Sequence, residues 1–281
     1  MPDDPAGPSV IHETSNSKVT KKLKILVFID HQTFVRHFIN SNVLAPMMHK
    51  HDVLFFFPEP EYKEGKRLPL DVNSLGLGDR VRHLAVHEER AKMWVKMLHI
   101  GRLRWRPSSR YAATKATVRK AILEAIGPGH AREYKLRSLP GVYWLFKLQT
   151  LARLKRMPNR PLEEIIHNEM PDAIVHPTVL IGPYTHELCD ASARHGIPLV
   201  AIMNSWDNIC TKGNMYLNLD WLLVWGEQTR RQAWDLLDID REKVVAFGAA
   251  QFDVYRNPPR TTREEFCRNH DVSPSKTLLL Y

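Results

Sequence analysis

Residues 196–253 read GIPLVAIMNSWDNICTKGNMYLNLDWLLVWGEQTRRQAWDLLDIDREKVVAFGAAQFD and contain three short apolar runs, at 198–203, 221–225 and 243–247. A helical segment, 227–237, lies between the second and third runs. Strands of a parallel sheet that are covered on both faces form continuous apolar runs of this kind. The stretch therefore predicts an α/β fold with a parallel sheet.

The N-terminal part has the same character. Residues 24–29 (KILVFI) and 52–57 (DVLFFF) are predicted strands, with a predicted helix at 33–48 between them. Further strands are expected at 80–86 and 172–176, and further helices at 162–169 and from 182 to about 195. This order predicts a Rossmann-like parallel sheet flanked by helices over residues 23–255. No GxGxxG follows the first strand, so the dinucleotide-binding fingerprint is missing.

Composition excludes several classes of protein. A hydrophobic share of 43% and a charged share of 25% are typical of a globular domain. The three cysteines, Cys189, Cys210 and Cys267, have no paired spacing, which argues against a disulfide framework or a zinc site. Residues 1–22 lack the apolar core of a signal peptide and are predicted to form a disordered tail. We therefore expect a cytoplasmic protein.

Positive charge is concentrated in one part of the chain. Residues 90–160 contain 18 Lys and Arg but only two acids, a net charge of +16; because the whole chain carries +9, the remainder carries −7. The helix-prone segment 88–157 is predicted to be a basic helical insertion, with apolar residues at 145, 148, 151 and 154 in helical spacing.

Three interpretations of this insertion are open: a nucleic-acid surface, an anionic membrane surface, and a solvated helical face. The segment has no helix-turn-helix, zinc-finger or RNA-binding motif, which disfavours nucleic acid as the partner. Basic amphipathic helices that carry Trp and Leu suit membrane surfaces better.

The last residues, 256–281, are predicted to be a linker around Pro258 and Pro259, a short helix at 262–269 and the start of a strand at 276–281. Because an unpaired apolar strand invites aggregation, we expect this strand to open a second domain.

Three motifs carry a resemblance to a known family: SWDNICTKG (205–213), WLLVWGEQTRRQAW (221–234) and VVAFGAAQFD (244–253). By these motifs the chain resembles the N-terminal half of a GT-B-type glycosyltransferase. It is most similar to bacterial surface-carbohydrate enzymes related to CDP-glycerol glycerophosphotransferases and UDP-N-acetylglucosamine 2-epimerases.

The resemblance implies two Rossmann-like domains that face each other across a cleft, with the acceptor on the N-terminal domain and most donor contacts on the other. It implies a nucleotide-sugar or CDP-glycerol donor as substrate, no cofactor, and a lipid-linked or polymeric acceptor. An enzyme of this kind is expected at the inner membrane face.

Inverting transfer needs a base that deprotonates the acceptor hydroxyl. Asp30 and His31 end the first strand, so either is a candidate catalytic base. The alternative for Asp30 is a helix cap. His176 and Thr178 end another strand and are candidate substrate-binding residues, although a plain strand-turn-helix explains them equally well.

Polar residues also follow the run at 198–203, and four of them are candidate substrate-binding residues: Trp206, Asp207, Asn208 and Lys212. Asp207 can orient a sugar hydroxyl, Trp206 can stack on a ring, and Lys212 can bind a phosphate. The alternative is a loop in which Asp207 and Asn208 bind their own backbone.

The leading hypothesis is a GT-B-like glycosyl- or glycerophosphotransferase N-terminal domain that acts in cell-surface polymer synthesis without a metal. We expect it to be inactive alone. The rival enzyme is a UDP-sugar 2-epimerase, and the non-enzyme rival is a membrane-docking or binding fragment.

Overall fold

A computed structural model describes residues 21–59, 72–104, 111–211, 219–237, 239–256, 258–259 and 261–279. Its centre is a seven-stranded sheet in which all neighbouring strands are parallel, in the order β3-β2-β1-β4-β5-β6-β7. The strands are β1 (Lys24–Phe28), β2 (Asp52–Pro58), β3 (Val81–Leu84), β4 (Ala173–Thr178), β5 (Leu199–Met203), β6 (Trp221–Val224) and β7 (Val244–Ala246). The predicted α/β, Rossmann-like fold is confirmed.

The apolar strands are buried on both faces of the sheet. In β1, Leu26 and Phe28 contribute to one core, whereas Ile25 and Val27 contribute to the core on the opposite face. This division follows from the alternation of side chains along a strand. It explains why the strand sequences are continuous apolar runs.

Helices cover both faces. Three helices pack on the face of Leu26: α6 (Arg160–Glu169), α7 (Thr185–His195) and α9 (Glu227–Leu237). The other face is covered by the segment between β1 and β2 and by Ala250 of a 3₁₀-helix at Ala250–Arg256. The strand order reverses between β1 and β4, which is the topological switch point where doubly wound sheets bind ligands.

The predicted helix at 33–48 is wrong in its continuity. The chain forms a short α1 (Gln32–Phe34) that runs into a π-helix (Val35–Ile39), and then a separate α2 (Ala45–Lys50). Asn42 breaks the path because its φ of 61° is left-handed, and Pro46 then lies in the first turn of α2. Single π-turns occur often at functional sites.

The basic insertion lies in the crossover from β3 to β4. It contains α3 (Glu88–Leu103), α4 (Ala112–Arg137) and α5 (Pro140–Arg156), and α4 is kinked at Gly127, whose φ is 71°. The predicted apolar stripe of α5 is divided: Leu154 is buried, whereas Leu145 and Leu148 are 59% and 60% exposed.

A buried ion pair joins the insertion to the sheet domain. Arg90 of α3 donates from Nε to both carboxylate oxygens of Glu187 of α7, at 2.9 and 2.8 Å, and the two side chains are 1% and 3% exposed. Trp94 Nε1 and Asn159 Nδ2 donate to the same carboxylate, and Arg90 Nη1 donates to the carbonyl oxygens of Leu154 and Met157. The contacts hold α3, the end of α5 and α7 together.

The C-terminal segment differs from its prediction. A helix, α10 (Arg263–Asn269), begins with a capping box between Thr262 and Glu265, close to the predicted bounds. The predicted strand at 276–281 is wrong over 276–279: these residues pair with no described strand, and Leu279 is 87% exposed. Residues 280 and 281 lie outside the described residues.

The predicted disordered tail lies outside the described part over residues 1–20. Lys21, at the start of the described chain, forms an ion pair with Asp172 at 2.8 Å. Within the described residues, no helix combines the length and the apolar character needed to cross a membrane.

Candidate functional site

A cavity of about 320 Å³ lies at the carboxyl ends of β1, β4 and β5, at the switch point of the sheet. Each strand contributes the residues that follow it. The lining residues are Asp30, His31, Thr33, Phe34, Val179, Ile181, Gly182, Pro183, Asn204, Ser205, Asp207 and Asn208. Four residues predicted from separate strand ends, Asp30, His31, Asp207 and Asn208, are therefore brought together at one site.

Asp30 is positioned by the loop that follows β4. Its carboxylate lies so close to Gly182 that a Cβ atom at this position would clash with Asp30 Oδ2. A larger residue at position 182 would therefore force the Asp30 carboxylate or the loop to shift. Asp30 is 9% exposed and still lines the cavity.

His31 caps the N-terminus of α1 with one of its ring nitrogens. Its Nδ1 accepts a hydrogen bond from the Thr33 backbone N–H at 2.9 Å. A neutral His31 in this position therefore carries its proton on Nε2 and is a hydrogen-bond donor there. The alternative interpretation of Asp30 is a helix cap, and in the structure His31 is the residue that caps α1.

Beneath the cavity, a chain of polar groups connects β1, β4 and α7. Thr178 Oγ1 lies 3.0 Å from Thr185 Oγ1, and Thr185 Oγ1 lies 3.2 Å from His176 Nε2. His176 Nδ1 contacts the Phe28 carbonyl oxygen at 2.9 Å, so it carries the proton and Nε2 accepts from Thr185. Burial lowers the pKa of His176 to about 4, although the hydrogen bond to Phe28 opposes that shift.

This arrangement removes His176 and Thr178 from direct contact with the cavity. Each is 1% exposed, and neither lines the cavity. Thr178 Oγ1 also accepts from the backbone N–H of Leu180 at 2.9 Å, which holds that residue at a left-handed φ of 65°. The two predicted substrate-binding residues shape the cavity floor from below.

The loop after β5 combines lining residues with an exposed tryptophan. Asn208 Oδ1 accepts from the Ser205 backbone N–H at 2.9 Å, and Thr211 Oγ1 donates to the Asp207 carbonyl oxygen at 2.9 Å. The Asn208 bond is a local backbone contact of the kind in the alternative interpretation, whereas the Asp207 carboxylate accepts from the Thr211 hydroxyl at 3.5 Å. Both residues also line the cavity. Trp206 is 56% exposed and does not line it. Lys212 lies outside the described residues.

His37 is a site residue that the sequence analysis did not find. Its Nδ1 lies 2.7 Å from Oδ1 of Asn204, which lines the cavity, and its Nε2 lies 3.0 Å from Arg36 Nη2. Burial lowers the pKa of His37, the bond to Asn204 opposes this, and the Arg36 charge lowers the pKa further. A neutral His37 that donates from Nδ1 fits both contacts. The π-helix supplies this residue, and no simple pattern in the sequence indicates it.

A second cavity, of about 560 Å³, shares His31 and Thr33 with the first and extends along Arg36, Asn40 and Ser74. The two cavities are therefore neighbours at the end of β1. Among the described residues, no group of three or more His, Cys, Asp or Glu side chains is arranged to hold a metal ion.

No known family model matches the chain, and no curated protein is significantly similar to it. The function of the chain is therefore inferred from the geometry of the site.

Proposed function

We propose that this chain is the acceptor-binding domain of a GT-B-like transferase that moves a glycosyl or glycerophosphoryl group from a nucleotide-activated donor in surface-polymer synthesis. The observation that supports this most is the meeting of Asp30 and His31 with Asp207 and Asn208 in one cavity at the switch point. A carboxylate, a ring N–H donor and side-chain amides together suit a ligand rich in hydroxyl groups.

In this proposal Asp30 is the base. Its carboxylate accepts the proton of the attacking acceptor hydroxyl, whose oxygen then bonds to the transferred group while the nucleotide leaves. His31 is a poorer base in the present arrangement, because Nδ1 is engaged by Thr33 and Nε2 carries the proton. We assign its Nε2–H to binding a hydroxyl or phosphate oxygen of the ligand.

The second cavity, which also borders His31, supplies room for an extended acceptor. Arg36 lines this cavity and offers a positive charge to an acceptor phosphate. A lipid-linked or polymeric acceptor, and with it a position at the inner membrane face, belongs to the same proposal. The donor is a nucleotide-sugar or CDP-glycerol, and no cofactor is required.

The test is the binding of short acceptors to the purified chain, measured by ligand-observed NMR. Glycerol-phosphate oligomers and short saccharides are suitable probes. Loss of a hydrogen bond to a charged group costs about 1.5–3 kcal/mol, so Asp30→Asn is expected to weaken binding roughly tenfold or more. Gly129→Ala is the control, because a methyl group at this position meets no atom within 4 Å.

The outcomes separate the alternatives. Acceptor binding that depends on Asp30 supports the proposed acceptor-binding role. Conversion of a free UDP-sugar to its epimer without acceptor would replace this proposal with an epimerase. Failure of every acceptor probe to bind the wild-type chain would contradict the proposed role.

A further inference from the structure

Helix α5 has two apolar faces, and the described residues cover only one of them. Tyr143, Phe146 and Leu154 are buried and pack in a cluster with Trp94 and Met97 of α3. The opposite side also carries large apolar residues. A helix of a globular protein normally has polar residues on that side.

We call this second surface the outer face of α5; it consists of six residues on α5, at the end of α4 and on the turn between the two helices. Each of them is between 38% and 60% exposed. They are Leu136, Leu139, Val142, Trp144, Leu145 and Leu148. Because successive helical residues are separated by about 100°, Trp144, Leu145 and Leu148 fall on the side opposite Tyr143 and Phe146, whereas Val142 lies at the border of that side. Contiguous exposed apolar surface of this kind marks an interaction site.

Positive charge surrounds the outer face at both ends. Arg132 and Lys135 are exposed one turn before Leu136 and Leu139, and Lys155 and Arg156 are exposed beyond Leu148. None of these four forms an ion pair with a carboxylate in the described part of the chain. Two acids of the insertion, Glu133 and Glu89, are already engaged by Lys96, Arg137 and Arg153.

We propose that the outer face of α5 docks on an anionic lipid bilayer, with its apolar side chains among the acyl chains and the flanking cations at the lipid headgroups. Trp144 is suited to the headgroup boundary, since its ring is amphipathic, and Lys147 Nζ lies 5.2 Å from the centre of that ring. A protein partner would not need cations at both ends of an apolar helix face, whereas an anionic membrane attracts them.

The insertion is fixed to the sheet domain, so docking of α5 on a membrane would also position the sheet domain. Arg90 and Glu187 join α3 to α7 by a buried ion pair, and α7 begins seven residues after the end of β4. A membrane held by α5 would therefore be held at a defined position relative to the sheet. This inference gives a surface to the membrane position included in the proposed function, but vesicle binding needs neither donor nor acceptor, so the two can fail separately.

The experiment is co-sedimentation of the purified chain with vesicles of phosphatidylcholine alone or mixed with phosphatidylglycerol. The triple variant Trp144→Ser, Leu145→Ser, Leu148→Ser is expected to lose roughly tenfold or more in affinity for the mixed vesicles, because binding scales with buried apolar area. Since these side chains are more than half exposed, circular dichroism should show an unchanged fold. The matched control is Phe252→Ser, Val254→Ser, Tyr255→Ser, three exposed apolar residues elsewhere.

The charge variant Lys135→Gln, Lys155→Gln, Arg156→Gln tests the electrostatic part. Each cation near an anionic surface contributes about a fivefold increase in affinity at moderate salt. Binding should therefore fall strongly in this variant, and the wild type should lose affinity as salt increases.

Three results would overturn the proposal. One is equal binding of the wild type and the outer-face variant to anionic vesicles. Another is a wild-type dimer in sedimentation velocity that becomes monomeric in this variant, which would assign the surface to a second copy of the chain. The third is binding of RNA or DNA, abolished by the charge variant, without any binding to vesicles.

Discussion

At the end of β1, Asp30 and His31 differ in their capacity for proton transfer. His31 Nδ1 is engaged by the Thr33 amide, whereas the Asp30 carboxylate faces the cavity beside Gly182. Sequence alone treats the two residues as equivalent candidates, because both follow the same strand. The difference depends on a local backbone contact and on a loop that comes from a strand about 150 residues later in the sequence.

Gly182→Ala tests the positioning of Asp30. The new methyl group would clash with Asp30 Oδ2 and force the loop or the carboxylate to move, at a cost of about 1–3 kcal/mol in the free energy of unfolding. We expect acceptor binding, followed by ligand-observed NMR, to weaken roughly tenfold. Gly129→Ala should change neither quantity. Unchanged acceptor affinity in Gly182→Ala would show that this contact does not position Asp30.

Buried histidines make stability depend on pH. Burial lowers the pKa values of His176 and His186 to about 4, and the Arg102 charge adds to the effect on His186. In the unfolded chain both would titrate near 6.5, so between pH 6.5 and 4 the unfolded state binds more protons than the native state. Stability is therefore lost as the pH falls through this range, by about 3 kcal/mol for each histidine at the acid end.

His186→Phe separates one of these contributions, since phenylalanine cannot titrate and can still stack on Trp94, whose ring lies 5.3 Å away. Urea unfolding at a series of pH values should show a smaller loss of stability toward pH 4 in this variant than in the wild type. His130→Phe, at an exposed position, should leave the slope unchanged. A slope equal to that of the wild type in His186→Phe would contradict the assignment.

At the scale of elements, the crossover between β3 and β4 is held by one buried ion pair. Arg90 and Glu187 are nearly inaccessible, and four further contacts fill the remaining donors and acceptors around them. Removal of one partner leaves a buried charge without compensation, which is costly. The insertion is therefore coupled to the domain more strongly than its polar surface suggests.

Arg90→Met is expected to destabilise the protein by about 3–5 kcal/mol, measured by urea unfolding, because Glu187 would keep a buried charge. Lys92→Met is the matched control on the same helix. Lys92 is 75% exposed and its ion pair with Glu88 contributes little, so its loss should cost less than about 1 kcal/mol. Similar effects of the two substitutions would contradict the importance of the buried pair.

The regular elements could be predicted from sequence where one pattern decided them. Helix α9 has the predicted bounds, because its apolar residues repeat with helical spacing between two apolar strands. The helix at 33–48 could not be predicted correctly, since the π-turn and the left-handed Asn42 depend on packing against the sheet. The contact of His37 with Asn204 could not be predicted for the same reason, since His37 belongs to that π-helix.

At the scale of the whole molecule, topology determines which residues meet. The order β3-β2-β1-β4-β5-β6-β7 brings the ends of β1, β4 and β5 together, although β1 and β4 are separated by more than 140 residues. The strand-end rule predicted that Asp30, Asp207 and Asn208 would lie near such an edge. It also selected His176 and Thr178, which the rule cannot distinguish from lining residues because burial beneath the floor depends on α7.

Charge is distributed unevenly over the whole molecule. Residues 90–160 carry a net charge of +16, whereas the remainder carries −7. The described part of residues 90–160 forms helices outside the sheet. The molecule thus has a candidate ligand site at the strand ends and a basic helical unit in the crossover that leads to β4. The two surfaces can be tested separately, since small ligands are predicted to bind the first and lipid is predicted to bind the second.

A backbone ¹H–¹⁵N NMR titration of the chain tests directly whether the switch-point cavity is the ligand site. The probes are a glycerol-phosphate oligomer, CDP-glycerol and a UDP-sugar. We predict that the shifts caused by the ligand concentrate at residues 30–33, 179–183 and 204–208, and that Asp30→Asn reduces them. Shifts that cluster elsewhere, or no response to any of these ligands, would contradict the assignment of the ligand site to this cavity.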